Sequence, residues 1–365
     1  MRLRAPELVG RGWLNTGGVE LALADLRGRI VVLDFWTFCC VNCLHVLDEL
    51  RPLEEQYADS LVLIGVHSPK FEHEADADAL AAAVERYAVH HPVLDDPDLV
   101  TWQAYTARAW PTLVVIDPEG YIVASMSGEG HAHGLSVLVE ELIAEHGAKG
   151  TLRQGDSPYA APEPAETALR FPGKVAGLAD GSFVVSDTTH HEVVWLEPDL
   201  QTERGRFGGA GCASGAGGAG ELNEPQGVLV LPEETARRVG YDVVVADSVN
   251  HRVLGLRLAD GAWTVLAGTG EQLRERSGSG PALKQALSTP WDLAWFIGRV
   301  VVAMAGVHQL WALHLATDPA DNTVAVLGGT SAEGLRDGAA DEAWFAQPSG
   351  LAVSADGSRL WVADS

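Results

Sequence analysis

Residues 30–43 have the sequence IVVLDFWTFCCVNC, in which three cysteines directly follow a continuous apolar run. An apolar run of this length predicts a strand that is buried on both faces. Leucines recur every three residues between positions 43 and 57, which predicts a helix. Pro52 lies inside that pattern and predicts a kink or an early end of the helix. The cysteines are therefore expected where a buried strand passes into a helix.

Strand and helix signals continue to alternate along the first half of the chain. Residues 61–66 are predicted to form a second buried strand, residues 75–87 a helix, and residues 135–145 a closing helix. Residues 112–125 predict a β-hairpin around the turn sequence DPEG. Strands that alternate with helices predict an α/β sheet with helices on both faces.

The spacing of Cys40 and Cys43 is typical of a redox-active pair, because a strand precedes the motif and a helix follows it. A cysteine at the first turn of a helix faces unpaired amide groups and the positive end of the helix dipole, which stabilise a thiolate. The second sulfur, one turn later, can attack a mixed disulfide. Cys40 is therefore the expected nucleophile, Cys43 the resolving thiol, and Cys40–Cys43 the redox disulfide.

In this region the sequence resembles the thioredoxin family, over about residues 7–146. The resemblance rests on the cysteine motif, on Asp34 six residues before Cys40, on Trp110-Pro111-Thr112, and on the hairpin that follows. It implies a proton-relay role for Asp34 and a cis-proline at Pro111 that helps to seat an extended substrate. We expect substrate contacts from the residues that flank these groups, namely Trp36, Trp110 and Thr112.

Two departures from the family pattern bear on the chemistry. Cys39 stands before the nucleophile, where the family usually has tryptophan, and Val41-Asn42 stands between the cysteines in place of Gly-Pro. The dipeptide tunes the redox potential, so the sequence leaves open whether the site reduces or oxidises its substrate. Cys39 is expected to pack as a small apolar side chain, with an alternative disulfide as the other interpretation.

The second half of the chain repeats a short strand pattern at intervals of about sixty residues. The four copies begin at Val184, Val244, Val301 and Trp361. A proline-containing turn precedes each of the last three copies, and glycine-rich connectors separate the units. Repeats of this length, made of short strands and glycine turns, are typical of propeller blades.

These units resemble NHL repeats, and the second unit matches the pattern best. It carries Pro225, Gly227, Asp247, Asn250 and Arg252 at the pattern positions. The first unit departs from the pattern at Glu192, and the third departs at Met304 and Gln309.

The predicted architecture is an α/β thioredoxin fold followed by an all-β NHL propeller. The predicted bounds are 1–147 for the thioredoxin-like domain, 148–168 for a Pro/Gly/Ala-rich linker, and 169–365 for the propeller. Three blades and the start of a fourth are expected. The propeller is therefore predicted to be incomplete, because the chain is a fragment or because the propeller is open or completed elsewhere.

The two halves together, with the sequence Cys-Cys-x-Asn-Cys, resemble the family of NHL repeat-containing protein two and its bacterial relatives. The resemblance implies a cytosolic two-domain protein with a six-bladed propeller, and it does not supply a substrate.

Composition limits the partners that this chain of 365 residues is expected to bind. It has 50 acidic and 25 basic side chains, a formal net charge of −25. A field of this sign repels phosphate groups, so neither nucleic acid nor a membrane is an expected partner. The first twelve residues lack the apolar segment of a signal peptide, and no apolar run is long enough to cross a bilayer. A cytoplasmic location and no cofactor are expected.

Alternatives to redox chemistry remain at the cysteine motif. The pair could be structural, or Cys40, Cys43 and His45 could bind zinc. Haem attachment is excluded, because Leu44 stands where histidine is required. A peroxidase-like redoxin is a minor alternative, since Thr37 and Cys40 fit its motif but Leu33 replaces the proline.

Other histidines and cysteines have structural interpretations. Three histidines recur at one position of the repeats and are expected to cap turns, with a metal site on the propeller axis as the alternative; they are His191, His251 and His308. The segment His90-His91-Pro92 is predicted to be a loop, and Cys212 an exposed loop thiol without a role.

The function that the sequence favours is thiol–disulfide exchange, with the propeller as a protein-interaction module. The expected partners are a disulfide-bearing protein or small thiol substrate, a reductant that regenerates the dithiol, and a protein bound by the propeller. An interaction scaffold with an idle redox site is the alternative from another class. A propeller-based lyase or hydrolase would require metal at the three repeated histidines.

Overall fold

A computed structural model describes residues 3–162, 167–209, 220–274 and 278–365. The chain divides into two compact units, Met1–Glu166 and Thr167–Ser365. Cys212 and most of the Pro162-Glu163-Pro164 segment lie outside the described residues.

The first unit is built on a seven-stranded mixed sheet with the strand order β1-β7-β6-β3-β4-β5-β2. The central strands β3 and β4 are parallel, and every residue in them is buried. Strand β6 pairs antiparallel with β3 on its other side. The strands are β1 Leu3–Arg4, β2 Gly12–Leu14, β3 Ile30–Trp36, β4 Leu61–His67, β5 Val93–Asp95, β6 Thr112–Ile116 and β7 Tyr121–Ser127.

Four helices accompany this sheet: α1 Val41–Gln56, α2 Ala77–Arg86, α3 Val100–Ala104 and α4 Ala132–Lys149. Helix α1 starts two residues earlier than expected and continues through Pro52, so the expected early end of this helix is wrong. Helix α2 begins at Asp76, whose carboxylate accepts a hydrogen bond from the Ala79 amide at 2.9 Å.

The apolar run of β3 is explained by packing on both of its faces. Val31, Leu33 and Phe35 belong to a cluster on one face that includes residues of α3. Ile30 and Val32 face the other way, into a cluster with α1 and α4. Since side chains alternate along a strand, Asp34 shares this second face. The predicted thioredoxin fold is confirmed.

The segment after α4 runs along the first unit. The amides of Arg153, Gly155 and Ala160 donate hydrogen bonds to the carbonyls of Gly28, Asp59 and Asn15 at 2.7–3.0 Å. These residues lie in the stretch that the sequence assigns to the linker 148–168.

The second unit consists of antiparallel sheets, as predicted for blades. The described residues form one sheet of β8–β11, one of β12–β15, one of β16–β20 and a pair, β21–β22. The first strands of successive repeats (β8, β12, β17 and β21) pack side by side, as the inner strands of propeller blades do.

The bounds of the second unit's elements are β8 Pro172–Gly177, β9 Phe183–Asp187, β10 Glu192–Leu196, β11 Glu203–Gly208, β12 Pro225–Val230, α5 Glu233–Val239, β13 Val243–Asp247, β14 Arg252–Arg257, β15 Ala262–Ala267, β16 Ser279–Pro281, β17 Pro290–Phe296, β18 Arg299–Met304, β19 Gln309–His314, β20 Thr323–Gly328, β21 Gly350–Val353 and β22 Leu360–Ala363. In the described part of the chain, no helix is long and apolar enough to cross a membrane.

The second blade contains a buried ion pair at the NHL pattern positions. Asp247 accepts hydrogen bonds from Arg252 Nε at 2.7 Å, from Asn250 Nδ2 at 2.9 Å and from the Asn223 amide at 2.7 Å. Asp247 is completely buried and Arg252 is 5% exposed. The ion pair therefore joins strands β13 and β14 to the connector that precedes them.

The first blade, which lacks the pattern arginine, forms its ion pair differently. Arg206 in β11 reaches both Asp187 Oδ2 at 2.8 Å and Glu192 Oε2 at 2.7 Å. In the third blade both charges are absent, and Gln309 donates from Nε2 to the Gly329 carbonyl at 2.9 Å. Each departure from the NHL pattern is thus compensated within its own blade.

Each of the three repeated histidines makes the same kind of hydrogen bond. His191, His251 and His308 each have a positive φ, and each Nδ1 accepts a hydrogen bond at 3.0–3.2 Å. The donors are backbone amides 33 to 39 residues further along the chain, those of Glu224, Thr289 and Gln347. This contact supports the expected structural role, because each histidine joins its blade to the segment that leads into the next.

We expect Arg252→Met to destabilise the second unit by about 3–5 kcal/mol, because it leaves the Asp247 carboxylate buried without its cation. Hydrogen exchange of β13 and β14 in the full chain measures this loss. The control is Arg257→Met, which removes an exposed arginine from the end of the same strand and should leave exchange nearly unchanged. Equal effects of the two substitutions would contradict the prediction.

Candidate redox site at the start of helix α1

Cys40 is the residue at which helix α1 begins. Its backbone is extended, and its Sγ accepts a hydrogen bond from the Cys43 amide at 3.2 Å. The side chain of Cys43 is hydrogen-bonded to Cys40 in turn. Cys40 is 4% exposed, and Cys43 is completely buried. The helix therefore directs an amide donor and its positive end at the outer sulfur, as a thiolate requires.

Asp34 lies beneath this pair, in the interior of the first unit. It is completely buried, and neither carboxylate oxygen has a hydrogen-bond partner among the described residues. Burial raises the pKa of Asp34 to about 8. Burial also raises the pKa of Cys43, an effect reinforced by the hydrogen bond to Cys40 and by the charges of Cys40 and Asp34. The charged forms of the acid and of the resolving thiol are thus both disfavoured.

Glu74 holds the loop that carries the cysteines. Its Oε1 accepts hydrogen bonds from the Thr37 hydroxyl and, at 2.9 Å, from the Cys39 amide. Its Oε2 accepts from the amides of Lys70 and Phe71 at 2.7 and 2.8 Å. Burial opposes ionisation of Glu74, but these four hydrogen bonds outweigh it and lower the pKa of the carboxyl. Glu74 therefore acts as a charged clamp between two loops.

Cys39 differs in environment from Cys40. Its Sγ lies 3.4 Å from His73 Nε2, and its side chain is half-buried. Burial, followed by the charge and hydrogen bond of Glu74, raises the pKa of Cys39 to about 12. Cys39 is therefore a thiol at neutral pH, which supports its expected packing role over an alternative disulfide.

The peptide bond between Trp110 and Pro111 is cis. Trp110 stacks on Trp102, with ring centroids 4.3 Å apart, and its Nε1 donates to the Ser68 carbonyl at 2.7 Å. Trp110 remains partly exposed beside the cluster that contains both cysteines. It therefore stays available for the substrate contact predicted for it.

Two other side chains that are predicted to contact substrate make internal contacts in the structure. Trp36 is completely buried and packs in the cluster beneath the cysteines. Thr112 is 4% exposed, and its hydroxyl donates to the Ala109 carbonyl at 2.8 Å. Both side chains are turned into the fold because β3 and β6 are interior strands, and their contact with a substrate stays a prediction.

The site also contains residues that the sequence did not indicate. Glu74 lies 34 or more residues away from the loop that it holds, and His67 ends β4 inside the fold. His67 stacks on Phe38, with centroids 5.3 Å apart, and burial lowers its pKa to about 4. No spacing pattern links either residue to the cysteines, so only the fold identifies them.

The zinc alternative is not favoured by the geometry. His45 Nδ1 pairs with Glu129 Oε2 at 2.7 Å. Among the described residues, the trio that could share a metal ion is a different one, Asp117, Glu119 and His146.

Comparison with known proteins extends over both units. A family model described as Thioredoxin-like matches residues 28–122. Human NHL repeat-containing protein 2 is 36% identical over 392 residues, which cover 100% of this chain and 52% of that protein. Protein SUPPRESSOR OF QUENCHING 1, chloroplastic, from Arabidopsis thaliana is 33% identical and covers 97% of this chain and 34% of its own length.

A shorter relative matches the first unit alone. Thiol-disulfide oxidoreductase YkuV of Bacillus subtilis is 26% identical, covering 40% of this chain and 99% of its own length. The chain spans about a third to a half of the length of the two longer relatives. It thus resembles NHL repeat-containing protein 2 over nearly all of its residues, and its first unit is a thioredoxin-like domain.

We expect Glu74→Gln to lower the pKa of Cys39, because the charge and hydrogen bond of Glu74 raise it. Alkylation of Cys39 by iodoacetamide near pH 8, located by mass spectrometry, should become several-fold faster. Glu72→Gln, which changes an exposed acid on the same turn, is the control. An unchanged alkylation rate in the Glu74 variant would refute this electrostatic role.

We expect Asp34→Asn to alter how stability depends on pH. Because the folded-state pKa is raised, the native state binds more protons than the unfolded state between about pH 4 and about pH 8. In this window Asp34 makes the unfolding free energy fall as the pH rises, by up to about 1.4 kcal/mol per pH unit. Asp34→Asn should remove this fall.

Urea unfolding of the full chain, followed through its helical circular dichroism, tests the prediction because the long helices lie in the first unit. The control is Asp25→Asn, at an exposed acid of that unit. A pH dependence equal to that of the parent would show that Asp34 is not the responsible group.

Proposed function

Starting from a first unit that is a thioredoxin-like domain, we propose that this chain is a thiol–disulfide oxidoreductase. Cys40 is the nucleophile, Cys43 the resolving thiol, and Asp34 the group that takes the proton from Cys43. The main support is the placement of Cys40 at the start of α1, with the Cys43 amide 3.2 Å from its sulfur and a buried acid behind Cys43. The B. subtilis relative is named as a thiol-disulfide oxidoreductase, in agreement with this reaction class.

Reduction of a substrate disulfide proceeds in two exchanges. The Cys40 thiolate attacks one substrate sulfur, a Cys40–substrate disulfide forms, and the other substrate sulfur leaves as a thiolate. Cys43 then gives its proton to the Asp34 carboxylate and attacks Cys40 Sγ. The Cys40–Cys43 disulfide forms and the second substrate thiolate leaves, so two electrons pass from the protein to the substrate. A dithiol reductant restores the pair.

The surroundings of Cys40 favour a substrate that enters in an extended conformation. Cys40 itself is only 4% exposed, while Trp110 and Phe38 beside it are partly exposed and apolar. We propose that these side chains receive the segment next to the substrate disulfide, with cis-Pro111 at its edge. The second unit supplies the binding surface for a protein partner, and the cytoplasm is the proposed location.

The alternative function is an interaction scaffold in which the cysteines do not turn over. The low exposure of Cys40 favours this alternative, because a nucleophile must reach its substrate. The two functions differ in whether the parent protein reduces a disulfide at all.

We expect the parent protein to catalyse reduction of a disulfide-bonded protein, such as insulin, by dithiothreitol. Cys40→Ser should abolish this catalysis, because the attacking sulfur is lost. Cys43→Ser should accumulate a mixed disulfide between Cys40 and the substrate, detectable by mass spectrometry. Cys39→Ser should retain activity, since Cys39 is a protonated thiol at neutral pH.

Two outcomes would overturn the proposal in favour of the scaffold. One is an inactive parent protein, and the other is activity that survives Cys40→Ser. In either case, the function would be the binding of partner proteins by the second unit.

A further inference from the structure

A protonated Asp34 must return its proton to solvent, and the structure indicates a route. Asp34 and Gly65 are register partners in the parallel pair of β3 and β4, so they face the same side of the sheet. Trp36, two residues after Asp34, lies on that side as well. Because Gly65 has no side chain, the place that a side chain would take at this position, in register with Asp34, is open to neighbouring groups.

Two ring nitrogens converge on this space. A Cβ atom at Gly65 would lie 2.9 Å from Trp36 Nε1 and 3.2 Å from His91 Nε2. Trp36 is completely buried and His91 is 3% exposed. Within the described part of the chain, neither nitrogen has a hydrogen-bond partner. Two buried ring nitrogens without partners therefore lie at the strand position that is in register with Asp34.

The other nitrogen of His91 faces a group near the surface. His91 Nδ1 lies 3.6 Å from Glu54 Oε2, and the Glu54 side chain is 22% exposed. The loop of His91 is held in place by Asn15, whose Nδ2 donates to the carbonyls of Val89 and His91 at 2.7 and 3.1 Å. His91 thus extends from the position of Gly65, the register partner of Asp34, to a carboxylate that contacts water.

We propose that His91 and Glu54 form a proton relay between Asp34 and solvent, through the space that Gly65 leaves. The proposal rests on the redox function proposed above. His91 acts through Asp34 and does not contact the sulfur atoms. Interior regions where several polar groups converge commonly hold a water molecule, which can bridge Asp34 to His91 Nε2.

The protons balance over a full cycle. Burial raises the pKa of Asp34 to about 8, so the acid starts the cycle protonated. Before Cys43 attacks Cys40, Asp34 gives up this proton, His91 accepts a proton at Nε2, and it gives one up from Nδ1 to Glu54. The Asp34 carboxylate then takes the proton of Cys43. When a dithiol reductant reopens the Cys40–Cys43 disulfide, Cys43 leaves as a thiolate and takes a proton from Asp34. The transfers then run in reverse, which restores the protonated Asp34 and the original tautomer of His91.

The test isolates the resolving step from the initial attack. In a Cys39→Ser/Cys212→Ser background, dithionitrobenzoate forms a mixed disulfide at Cys40 and releases one coloured thiolate. Attack by Cys43 then releases a second. We expect His91→Ala to slow the second release by about tenfold or more, as loss of proton-transfer catalysis does, and to leave the first unchanged. Added imidazole should restore the second release.

Matched controls separate the relay from a structural effect. His90→Ala changes the adjacent exposed histidine, and Glu55→Gln changes the exposed acid next to Glu54. Neither control should alter the second release. Glu54→Gln tests the relay at a partly exposed position that does not depend on the packing of His91, and it should slow the second release several-fold.

The relay is refuted if the parent protein releases both thiolates and the His91 and Glu54 variants match their controls. It is also refuted if His91→Ala slows both releases equally and imidazole does not restore them, since that result indicates distorted packing. A parent protein that never gives the second release contradicts the proposed function itself, so the two failures are distinguishable.

Discussion

The enclosed carboxyl group of Asp34 is the constraint on which the rest of the site depends. Burial raises the pKa of Asp34 and of Cys43, so the charged form of each group is disfavoured. A proton that moves from the thiol to the acid exchanges one disfavoured charge for another, with little change in solvation. Asp34 lowers the stability of the folded state, because among the described residues its buried carboxyl group has no hydrogen-bond partner. The apolar packing of β3 and β4 must offset this loss. The position of this acid in the most deeply buried strand pair is consistent with that balance.

The sequence predicted those features that local pattern determines. The apolar run at 30–36 predicted β3 because a strand covered on both faces needs apolar residues on both. The strands β1, β2 and β5 have two or three residues each, too few to show a period, and they were missed. Pro52 was expected to kink α1 or to end it early, yet the helix continues to Gln56 because its buried leucines pack against the sheet. The cysteine pair was found through its spacing, whereas Glu74 and His91 reach the site only through tertiary contacts.

The second unit shows how a repeat keeps its stability while its sequence changes. The pattern aspartate is buried in the first two blades, and each has an arginine within 3 Å, although the arginine comes from β14 in one and from β11 in the other. In the third blade, Met304 replaces the aspartate and no arginine takes the pattern position. A buried charge with one partner removed is costly, while the loss of both together is tolerated. The third blade departs from the NHL pattern at both positions of the ion pair, Met304 and Gln309. Because the two charges are lost together, neither is left buried without a partner.

Three cysteines within five residues raise the question of how a single one is selected for attack. The N-terminal amides of α1 are directed at Cys40, whereas Glu74 places a negative charge beside Cys39. The same carboxylate binds the Cys39 amide, so the group that fixes the loop also suppresses ionisation of its neighbouring thiol. Cys39 is the more exposed of the two, but burial and Glu74 raise its pKa and keep it protonated. In the proposed reaction the Glu74 clamp therefore has two effects: it holds the loop in which Cys40 meets the helix, and it keeps Cys39 from competing as a thiolate.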